Sequence, residues 1–535
     1  MFRHFRKALP ALVFSVLLMI ASPAFAQGNK HHPNDNWQHR YIPVQLLGIN
    51  DFHGQLNVYR QINGKTVGGA AYMATYLKKL ESQDKNTLLV NAGDSVGASP
   101  PISALLEDEP TIEILNKLGF DVGTLGNHEF DEGVDEMLRL INGGYNPKTG
   151  FFEGANFPYV CANVVDDQTG EHILPPYVIK KVNGMPIGFI GVVTTETPKI
   201  VTPGGTDGVK FLDEAQSINK AAAALEKKGV HTIVVLAHVS ASSNLDGSNP
   251  GGKMTEIARK INDDVDVIFA GHNNHYTNTV VDGKLIVETY SYGTSIAAVQ
   301  MKIDPKTKDV AAKQGKIILT AHEGVQPDPE IKQMVEGYEK QTEELTQRVV
   351  GTAAEDVTEE QSPAGESALG DLIADSHRAA MGSDFALMNE GGIRHNLEAG
   401  EITWGDLFTI QPFGNELIQK TLTGAQLKAL LEQQWQGAIG MLQISGFHYT
   451  WDKSAPAGDK VVKITFPDGT PIDMNKSYTV VANAFLAEGG DGYTVFKQGT
   501  HPVYGPIDLE ATVDYIEAQP QPISQSIEGR IQVQP

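Results

Sequence analysis

Short apolar runs alternate with helix-like stretches over most of residues 41–325. The runs read VQLLGI, TLLVNAG, VGTLG, PIGFIGVV, TIVVLA and VDVIFAG, and each is long enough for a buried strand. Between them, stretches such as GGAAYMATYLKKLESQ and EAQSINKAAAALEKKG place apolar residues at the spacing of one helix face. Strand and helix signals that alternate in this way predict an α/β domain with a largely buried sheet.

A charged segment at residues 326–350 separates two different patterns. Its apolar residues follow helical spacing after two prolines, which predicts one long amphipathic helix that connects two domains. These apolar positions are Ile331, Met334, Val335, Tyr338, Leu345 and Val349. From residue 351 onward, helix signals such as ALGDLIADSHRAAM mix with short strand signals such as KVVKITF and SYTVVA. We therefore expect a second, smaller α+β domain over residues 351–535.

The first 26 residues have the layout of a secretory signal peptide. A basic stretch (Arg3, Arg6 and Lys7) precedes a short apolar run that ends in Ala-Phe-Ala at Ala26. We expect cleavage after Ala26, a flexible polar tail over residues 27–40, and export to the periplasm, the cell envelope or the medium. An uncleaved anchor is the alternative; otherwise we expect no membrane insertion after cleavage, because no later apolar run approaches about eighteen residues.

Composition narrows the classes of partner. The 535 residues suggest two or three domains, and the formal charge of −23 disfavours nucleic-acid polymers and anionic membranes. A small phosphate ester would also be repelled unless its site held concentrated positive charge, which bound cations supply. The single cysteine, Cys161, excludes an internal disulfide; we expect a buried apolar side chain there rather than a catalytic thiol. The sequence leaves the oligomeric state open.

Five apolar runs end in polar residues that can bind metals or transfer protons. Because ligands of open α/β sheets bind beyond the carboxyl ends of the strands, we expect these side chains to meet at one edge of the sheet. A solvated acidic loop or a hydrogen-bonded histidine explains any one of them alone, but not all five together. The candidate metal ligands are Asp51, His53, Asp94, Asn127, His238, His272 and Asn274.

Imidazole, carboxylate and amide ligands without thiolate favour Zn²⁺, Mn²⁺ or Co²⁺. Seven ligands exceed the needs of one tetrahedral zinc but suit two ions that share a bridging carboxylate. Two such ions can polarise a phosphoryl oxygen and activate water for in-line displacement. The ligand set therefore predicts a two-metal site for phosphoester chemistry.

Two segments carry a resemblance to a known family. LLGINDFHGQL and FDVGTLGNHEFD resemble the two signature segments of the 5′-nucleotidase/UDP-sugar hydrolase group of metallophosphoesterases, in its secreted bacterial type. One departure is Gly48, where the family commonly has His, Glu or Ala. The resemblance covers nearly all of the chain after residue 26. It implies a metallophosphoesterase β-sandwich flanked by helices over residues 41–325, joined by the long helix to the substrate-binding domain.

The resemblance also implies roles for the candidate residues. Asp51, His53 and Asn274 would hold one metal, Asn127, His238 and His272 the other, and Asp94 would bridge the two. His128 resembles the catalytic histidine, and Asp131 would orient its ring. Glu129 would support the loop, with Gly126 and Gly133 permitting its tight backbone. Asn273 and His275 match no ligand of the family.

Three motifs of the second domain resemble the substrate-binding segments of the same family. They are NEGGIR (Asn389–Arg394), QPFGN (Gln411–Asn415) and NAFLAEGGDGY (Asn483–Tyr493). By this resemblance, Phe413 and Phe485 sandwich a nucleobase, Asp491 accepts hydrogen bonds from ribose hydroxyls, Asn415 touches the base, and Arg394 binds phosphate or shapes the site. Asn389 completes the set of expected substrate-binding residues. The competing interpretation places both phenylalanines in the core.

One departure concerns phosphate recognition. Nucleotidases of this group commonly carry one or two arginines before the LGxLIAD helix, whereas TEEQSPAGESALGDLIAD contains none before Leu369–Ala374. Arg378 lies at the other end of that helix and is the alternative guanidinium. The 5′-monophosphate specificity therefore rests on fewer residues than the hydrolase chemistry.

The sequence predicts an exported two-metal phosphohydrolase that acts on small nucleotides, of the 5′-nucleotidase type, with UDP-sugar hydrolase activity as an additional option. A 2′,3′-cyclic-nucleotide 2′-phosphodiesterase/3′-nucleotidase is the alternative. A second alternative is a protein that is not an enzyme: a surface protein that binds nucleotides without hydrolysing them. Because the expected metal ligands and the expected base-binding residues lie on separate domains, we also expect the second domain to swing and carry substrate to the metals.

Overall fold

Two six-stranded sheets stack face to face in the first part of the chain. The computed structural model describes residues 41–534, so the predicted signal peptide and tail lie outside the described residues. One sheet has six strands in the order Val310–Leu319, Ser295–Ile303, Ile42–Ile49, Thr87–Asn91, Val122–Thr124 and Tyr159–Val160. The other has six strands in the order Tyr177–Val182, Met185–Val193, Thr232–His238, Val265–Phe269, Lys284–Glu288 and Thr277–Val281. Between them lies a core to which both sheets contribute, for example Leu46 and Val90 from one and Val234 and Phe269 from the other. The expected β-sandwich is confirmed.

The bounds of the strands and helices in this part follow chain order. The strands are Ile42–Ile49 (β1), Tyr59–Ile62 (β2), Lys65–Gly68 (β3), Thr87–Asn91 (β4), Val122–Thr124 (β5), Gly144–Asn146 (β6), Gly150–Phe152 (β7), Tyr159–Val160 (β8), Val164–Asp166 (β9), Tyr177–Val182 (β10), Met185–Val193 (β11), Val209–Phe211 (β12), Thr232–His238 (β13), Val265–Phe269 (β14), Thr277–Val281 (β15), Lys284–Glu288 (β16), Ser295–Ile303 (β17) and Val310–Leu319 (β18). The helices are Ala70–Gln83 (α1), Pro101–Ala104 (α2), Glu109–Leu118 (α3), Val134–Asn142 (α4), Thr197–Ile200 (α5), Glu214–Glu226 (α6) and Lys253–Ala258 (α7).

Helices cover the outer faces of both sheets. Met73 and Leu77 of α1 and Ile114 of α3 pack in one cluster with Leu47 and Leu89 of the first sheet. Ile218 and Leu225 of α6 pack with residues of the second sheet on its outer face. Strands buried on both faces are continuously apolar, which is why these runs lack alternation in the sequence.

The connecting helix is shorter than the sequence predicts. It covers Pro329–Thr346 (α8), and the side chain of Asp328 caps it by accepting from the Ile331 N–H. Ile331 and Val335 are buried, whereas Leu345 and Val349 are 42% and 51% exposed. The chain leaves the helix after Thr346 because the next residues pair with a strand of the second part, so the predicted end near residue 350 is wrong.

The second part of the chain is a mixed α+β structure built on a five-stranded sheet. The strands of this part are Val349–Ala353 (β19), Phe385–Met388 (β20), Gly400–Thr403 (β21), Glu416–Thr423 (β22), Gln443–Ser445 (β23), His448–Asp452 (β24), Val461–Thr465 (β25), Ser477–Asn483 (β26), Thr500–Ile507 (β27) and Ile531–Gln534 (β28). The five-stranded sheet has the strand order β23-β20-β26-β22-β27, and a separate three-stranded sheet has the order β25-β24-β28. The helices are Ala368–Met381 (α9), Trp404–Ile410 (α10), Gly424–Glu432 (α11), Ala484–Ala487 (α12) and Asp508–Ala518 (α13).

The side chain of Cys161 belongs to a hydrophobic core cluster of the first part of the chain. Cys161 is fully buried, and burial raises the pKa of its thiol to about 12, which suits an inert core residue. Across residues 41–534, the structure has no helix with the length and apolar character of a membrane span.

Gly48 faces the core between the two sheets, and its neighbour explains the departure from the family pattern. A Cβ built on Gly48 would lie 2.3 Å from Cδ1 and 2.4 Å from Cε1 of Phe269. Phe269 on β14 therefore fills the space that a side chain at position 48 would need. A larger residue at 48 and the phenylalanine at 269 exclude each other.

We expect Gly48→Ala to lower the free energy of unfolding by about 1–3 kcal/mol, because it overpacks a closed core. The double variant Gly48→Ala/Phe269→Leu should recover part of that loss. Urea unfolding followed by circular dichroism measures both. Additive losses in the double variant would contradict the steric account.

Candidate metal and nucleotide site

Strands from both sheets deliver the candidate ligands. Asp51, Asp94 and Asn127 follow β1, β4 and β5, which are adjacent parallel strands of the first sheet. His238 ends β13 and His272 follows β14, which are adjacent parallel strands of the second sheet. The sequence argument placed all five strands at one sheet edge; the structure instead uses the corresponding edges of two stacked sheets.

Asp94 lies at the centre of these side chains. Its Oδ2 lies 3.0 Å from Nε2 of His238 and 3.5 Å from Nε2 of His53. Asp94 belongs to two groups of possible ligands, His53-Asp94-His128 and Asp94-His238-His272, and in each group the donor atoms lie within 4.8 Å of one another. Its position between the two groups matches that of a bridging carboxylate.

Backbone carbonyls orient two of the histidines. Nδ1 of His53 lies 2.8 Å from the Gly97 oxygen, and Nδ1 of His238 lies 3.0 Å from the Ala92 oxygen. A carbonyl can only accept, so each Nδ1 donates its proton to the carbonyl and each Nε2 points toward Asp94. Histidines that bind a metal through one ring nitrogen commonly make this kind of hydrogen bond with the other.

The remaining candidates lie against the same centre. His238 Nε2 is 3.9 Å from Asp51 Oδ1, and His272 Nδ1 is 2.9 Å from Asn127 Oδ1. Oδ1 of Asn274 is buried and has no hydrogen-bond partner among the described residues, an uncommon state for a polar atom. The structure thus brings all seven predicted ligands to one site, and their nitrogen and oxygen donors fit two divalent cations. Their individual assignments stay predictions.

Five of the seven candidate ligands share an unusual backbone conformation. Their φ angles are positive, between 48° and 90°, a region that residues other than glycine rarely adopt. They are Asp51, His53, Asp94, His272 and Asn274. Strain of this kind clusters at functional sites because the surrounding structure enforces it.

Asn50 and Glu129 hold the ligand loops in place. Asn50 donates to Asp51 Oδ2 at 2.6 Å, and its Oδ1 accepts from the Thr289 N–H at 2.8 Å. Glu129 accepts backbone N–H groups from Asp94 (2.9 Å), Ser95 (2.8 Å) and Gly126. Glu129 therefore supports its own loop after β5, as the sequence predicted, and also ties it to the loop after β4. The positioning role of Asn50 was missed, although its place before Asp51 marked it as a polar residue at a strand end.

His128 and Asp131 form a close pair at the edge of this centre. Nδ1 of His128 lies 2.7 Å from Oδ2 of Asp131, and the backbone N–H of His128 donates to Oδ1 of Asp94 at 2.8 Å. Burial lowers the pKa of His128, but the carboxylates of Asp131 and Asp94 outweigh it, so the pKa lies above its ordinary value. This ring can therefore carry a proton beside the candidate ligands.

Residues of both parts of the chain line one cavity of about 260 Å³. From the first part, His53, Asp94, Asn127, His128, Asp131, His272 and Asn274 line it. From the second part, all six predicted substrate-binding residues line it: Asn389, Arg394, Phe413, Asn415, Phe485 and Asp491. The cavity thus brings candidate metal ligands and the predicted substrate-binding residues together.

The two phenylalanines are wall residues of this cavity rather than core residues. The centroid of the Phe413 ring lies 5.9 Å from that of the His128 ring, with 24° between the ring planes, and 5.9 Å from the guanidinium carbon of Arg394. The Phe485 ring covers Gly490, where a Cβ would lie 2.5 Å from its Cζ. A glycine at 490 therefore permits the close approach of the ring to the loop that carries Asp491.

A line of amides fixes Asp491. Asn483 donates to Oδ1 of Asn389, and Asn389 donates to Oδ2 of Asp491, both at 2.9 Å. Burial raises the pKa of Asp491 to about 6 despite the Asn389 bond. Asn389 thus holds the carboxylate, and Asn483 was missed as its support. Ile200, Val201, Thr202 and Ile439 also line the cavity and carried no motif that could have revealed them.

Arg378 does not take part in this cavity. Its Nε donates to Oγ of Ser445 at 2.7 Å, and it lines a separate cavity with Asp375 and Arg530. The alternative guanidinium considered from the sequence therefore lies elsewhere.

The β-sandwich, the carboxylate of Asp94 shared by two ligand groups and the His128–Asp131 pair define the class of calcineurin-like, metal-dependent phosphoester hydrolases. Residues 44–276 match the family described as calcineurin-like phosphoesterase, and residues 349–498 match the 5′-nucleotidase C-terminal domain. A 5′-nucleotidase precursor from Thermus thermophilus is 31% identical, with a TM-score of 0.79 over 92% of this chain and 99% of that chain. The chain therefore belongs to the 5′-nucleotidase family, and the resemblance seen in its motifs is confirmed.

Two curated relatives extend the comparison. Cell wall protein Lmo0130 of Listeria monocytogenes is 37% identical over 89% of this chain and 67% of that protein. Endonuclease YhcR of Bacillus subtilis is 43% identical over 96% of this chain but only 43% of that protein. The chain thus spans less than half of the length of this nuclease-named relative.

Proposed function

We propose that the chain is an exported two-metal phosphohydrolase that releases phosphate from nucleotides, of the 5′-nucleotidase type. The observation that carries the proposal is the cavity in which His128 and five of the seven candidate metal ligands face the predicted nucleotide-binding residues. Zn²⁺, Mn²⁺ and Co²⁺ are the proposed ions, because the donors are imidazole, carboxylate and amide oxygen. Two such ions, when bound, supply Lewis-acid polarisation of the phosphoryl group and an activated water.

The chain's own residues divide the remaining work. His128, held at Nδ1 by Asp131, would donate from Nε2 to the phosphoryl group or to the departing oxygen. Arg394 would bind the phosphate. Phe413 and Phe485 would sandwich the base, Asn415 would touch its edge, and Asp491 would accept from the ribose hydroxyls.

Export and substrate delivery belong to the same proposal. The predicted signal peptide supports export, and one relative is called a cell wall protein. Phe413 of the second part lies beside His128 of the first, so the arrangement described here has both parts facing the site. We propose that substrate enters and product leaves when the two parts separate.

We expect Phe485→Ala to raise KM for AMP by about 5- to 150-fold, since stacking on one base contributes about 1–3 kcal/mol. The rate with p-nitrophenyl phosphate should stay within about twofold of wild type, because this substrate has no base to stack. Steady-state kinetics with both substrates tests the expectation. Phe151→Ala, at a residue that is 71% exposed, is the control. Equal losses on both substrates would contradict a base-binding role.

A substrate panel on metal-reconstituted protein tests the function itself. It should contain AMP, 3′-AMP, 2′,3′-cyclic AMP, UDP-glucose and a single-stranded oligonucleotide, with products identified by chromatography. Phosphate release from AMP supports the proposal, whereas turnover of only the cyclic nucleotide and 3′-AMP supports the alternative. The oligonucleotide is included because a relative is called an endonuclease. No turnover of any of them would favour the interpretation as a binding protein.

A further inference from the structure

Four buried polar side chains form a hydrogen-bonded network in the core of the second part of the chain. Oγ1 of Thr512 donates to Oε1 of Gln411 at 2.8 Å and lies 2.9 Å from Oγ of Ser376. Nε2 of Gln411 lies 3.3 Å from Nε2 of His377. All four side chains are at most 2% exposed. We call Ser376, His377, Gln411 and Thr512 the polar network.

The polar network joins three helices of the second part. Ser376 and His377 belong to α9, Thr512 belongs to α13, and Gln411 directly follows the last residue of α10. Burial lowers the pKa of His377 to about 3, so its ring is neutral and its Nε2 can accept from the Gln411 amide. Polar groups in a core are costly unless they are hydrogen-bonded. The bonds at both ends of the amide therefore hold Gln411 against α9 and α13.

Gln411 begins the segment that carries two of the cavity residues, Phe413 and Asn415. We call residues 411–415 the base-binding segment. The helix that contributes Thr512 also holds the other end of this segment, because the N–H of Asp508 at the start of α13 donates to the Asn415 oxygen at 2.8 Å. Both ends of the base-binding segment are thus fixed to α13, while the residues between them reach the cavity.

The position of the base-binding segment sets distances within the cavity. The centroid of the Phe413 ring lies 5.9 Å from that of the His128 ring and 5.9 Å from the guanidinium carbon of Arg394. The N–H of Arg394 also donates at 2.9 Å to the oxygen of Ile410, the residue before Gln411. A displacement of Gln411 would therefore move the Phe413 ring relative to the proposed proton donor.

We propose that Gln411 and Thr512 are positioning residues, which hold Phe413 and Asn415 where a nucleoside binds while its phosphate reaches His128. Neither Gln411 nor Thr512 lines the cavity, so neither touches the substrate. The proposal rests on the proposed function and deepens it, because it adds residues outside the cavity on which nucleoside affinity depends. Their effect must appear in the binding of a nucleoside and not in the hydrolysis of a substrate without a base.

The test measures the Kd of adenosine by isothermal titration calorimetry, and KM and kcat for AMP and for p-nitrophenyl phosphate, on metal-loaded protein. Thr512→Val removes the hydroxyl and leaves Oε1 of Gln411 buried without its donor. The Kd of adenosine and KM for AMP should each rise by about three- to tenfold. The value of kcat/KM for p-nitrophenyl phosphate should stay within about twofold of wild type, since this substrate has no base to stack. Thr512→Ser keeps the hydroxyl and should bind adenosine as wild type does.

A double-mutant cycle tests whether the two side chains act through their shared hydrogen bond. Gln411→Met removes both bonds of the amide and should weaken adenosine binding at least as much as Thr512→Val. The double variant Gln411→Met/Thr512→Val should bind adenosine within about twofold of Gln411→Met alone, because the bond between the two residues is already lost. Multiplied losses would show that the residues act independently and would overturn the proposal.

Two control variants make the same changes at buried residues outside the cavity. Thr342 is 6% exposed and its Oγ1 donates to the Tyr338 oxygen of its own helix, α8. Gln45 is 4% exposed and its Nε2 donates to Oγ1 of Thr87 at 2.9 Å. Thr342→Val and Gln45→Met should keep the Kd of adenosine within about twofold of wild type, even where they lower the melting temperature. Circular dichroism shows which variants fold, and Thr512→Val decides the matter if Gln411→Met does not fold.

The proposal is overturned if Thr512→Val lowers the melting temperature but leaves the Kd of adenosine unchanged. Equal losses of kcat/KM for AMP and for p-nitrophenyl phosphate would also overturn it, as would wild-type protein that does not bind adenosine. Failure of the proposed function has a different result, because wild-type protein with metals would then release no phosphate from AMP. Adenosine binding needs no hydrolysis, so its Kd in the variants still decides the proposal in that case.

Discussion

Replacing His128 with asparagine is expected to lower kcat for AMP by about 10²- to 10⁴-fold, the usual contribution of a positioned acid–base group. The ring is held by Asp131 at 2.7 Å, so the substitution removes a fixed proton donor from the cavity. The backbone N–H of residue 128 still donates its hydrogen bond to Asp94 in this variant. The metal content, measured by inductively coupled plasma mass spectrometry, should therefore stay close to that of wild type.

A second histidine–aspartate pair provides the control for this variant. Nδ1 of His231 lies 3.0 Å from Oδ2 of Asp264, and neither residue lines the cavity. His231→Asn should keep kcat within about twofold of wild type. If His128→Asn keeps kcat within about threefold of wild type, the proposed role of this ring is wrong.

Asp94→Asn is expected to remove measurable activity together with bound metal. Loss of a residue that only hydrogen-bonds a metal ligand commonly weakens metal binding by about 10–100-fold. Neutralising the carboxylate shared by both ligand groups should therefore weaken metal binding by more than about 100-fold. Metal content per chain after dialysis and kcat for AMP should fall together. Excess Mn²⁺ or Zn²⁺ should restore activity only in part.

Asp121→Asn is the matched control for this substitution. Asp121 also contacts β4, where its Oδ2 accepts from the Leu89 N–H at 3.0 Å, but it lies before β5 rather than after it. This variant should keep its metal and its activity. Full metal content in Asp94→Asn would show that the ions bind without this carboxylate.

The candidate site was largely predictable because its residues sit at strand ends. Asp51, Asp94 and His238 each end or follow a mainly apolar run, and such runs show in the sequence without any alignment. What the runs cannot show is which strands pair. The two-sheet arrangement depends on contacts between distant segments such as β1 and β17, whose pairing no local pattern encodes.

Other features were hidden for different physical reasons. The left-handed backbone at Asp51 and His272 is imposed by tertiary contacts, since neither residue type demands it. The helix that ends at Thr346 was predicted too long because Leu345 and Val349 continue its apolar spacing although both are exposed. Val201 and Ile439 enter the cavity through loop geometry and carry no chemistry that a motif could display.

The candidate ligands come from two separate sheets, so the hydrophobic layer between the sheets sets the distance between the two groups of ligands. Asp51 and Asp94 move with one sheet and His238 with the other, so their separation is set by side chains such as Phe269 packed between them. A change in the thickness of that layer alters the distance across the metal site without altering any ligand. Metal affinity in this chain is therefore coupled to the shape of its hydrophobic interior.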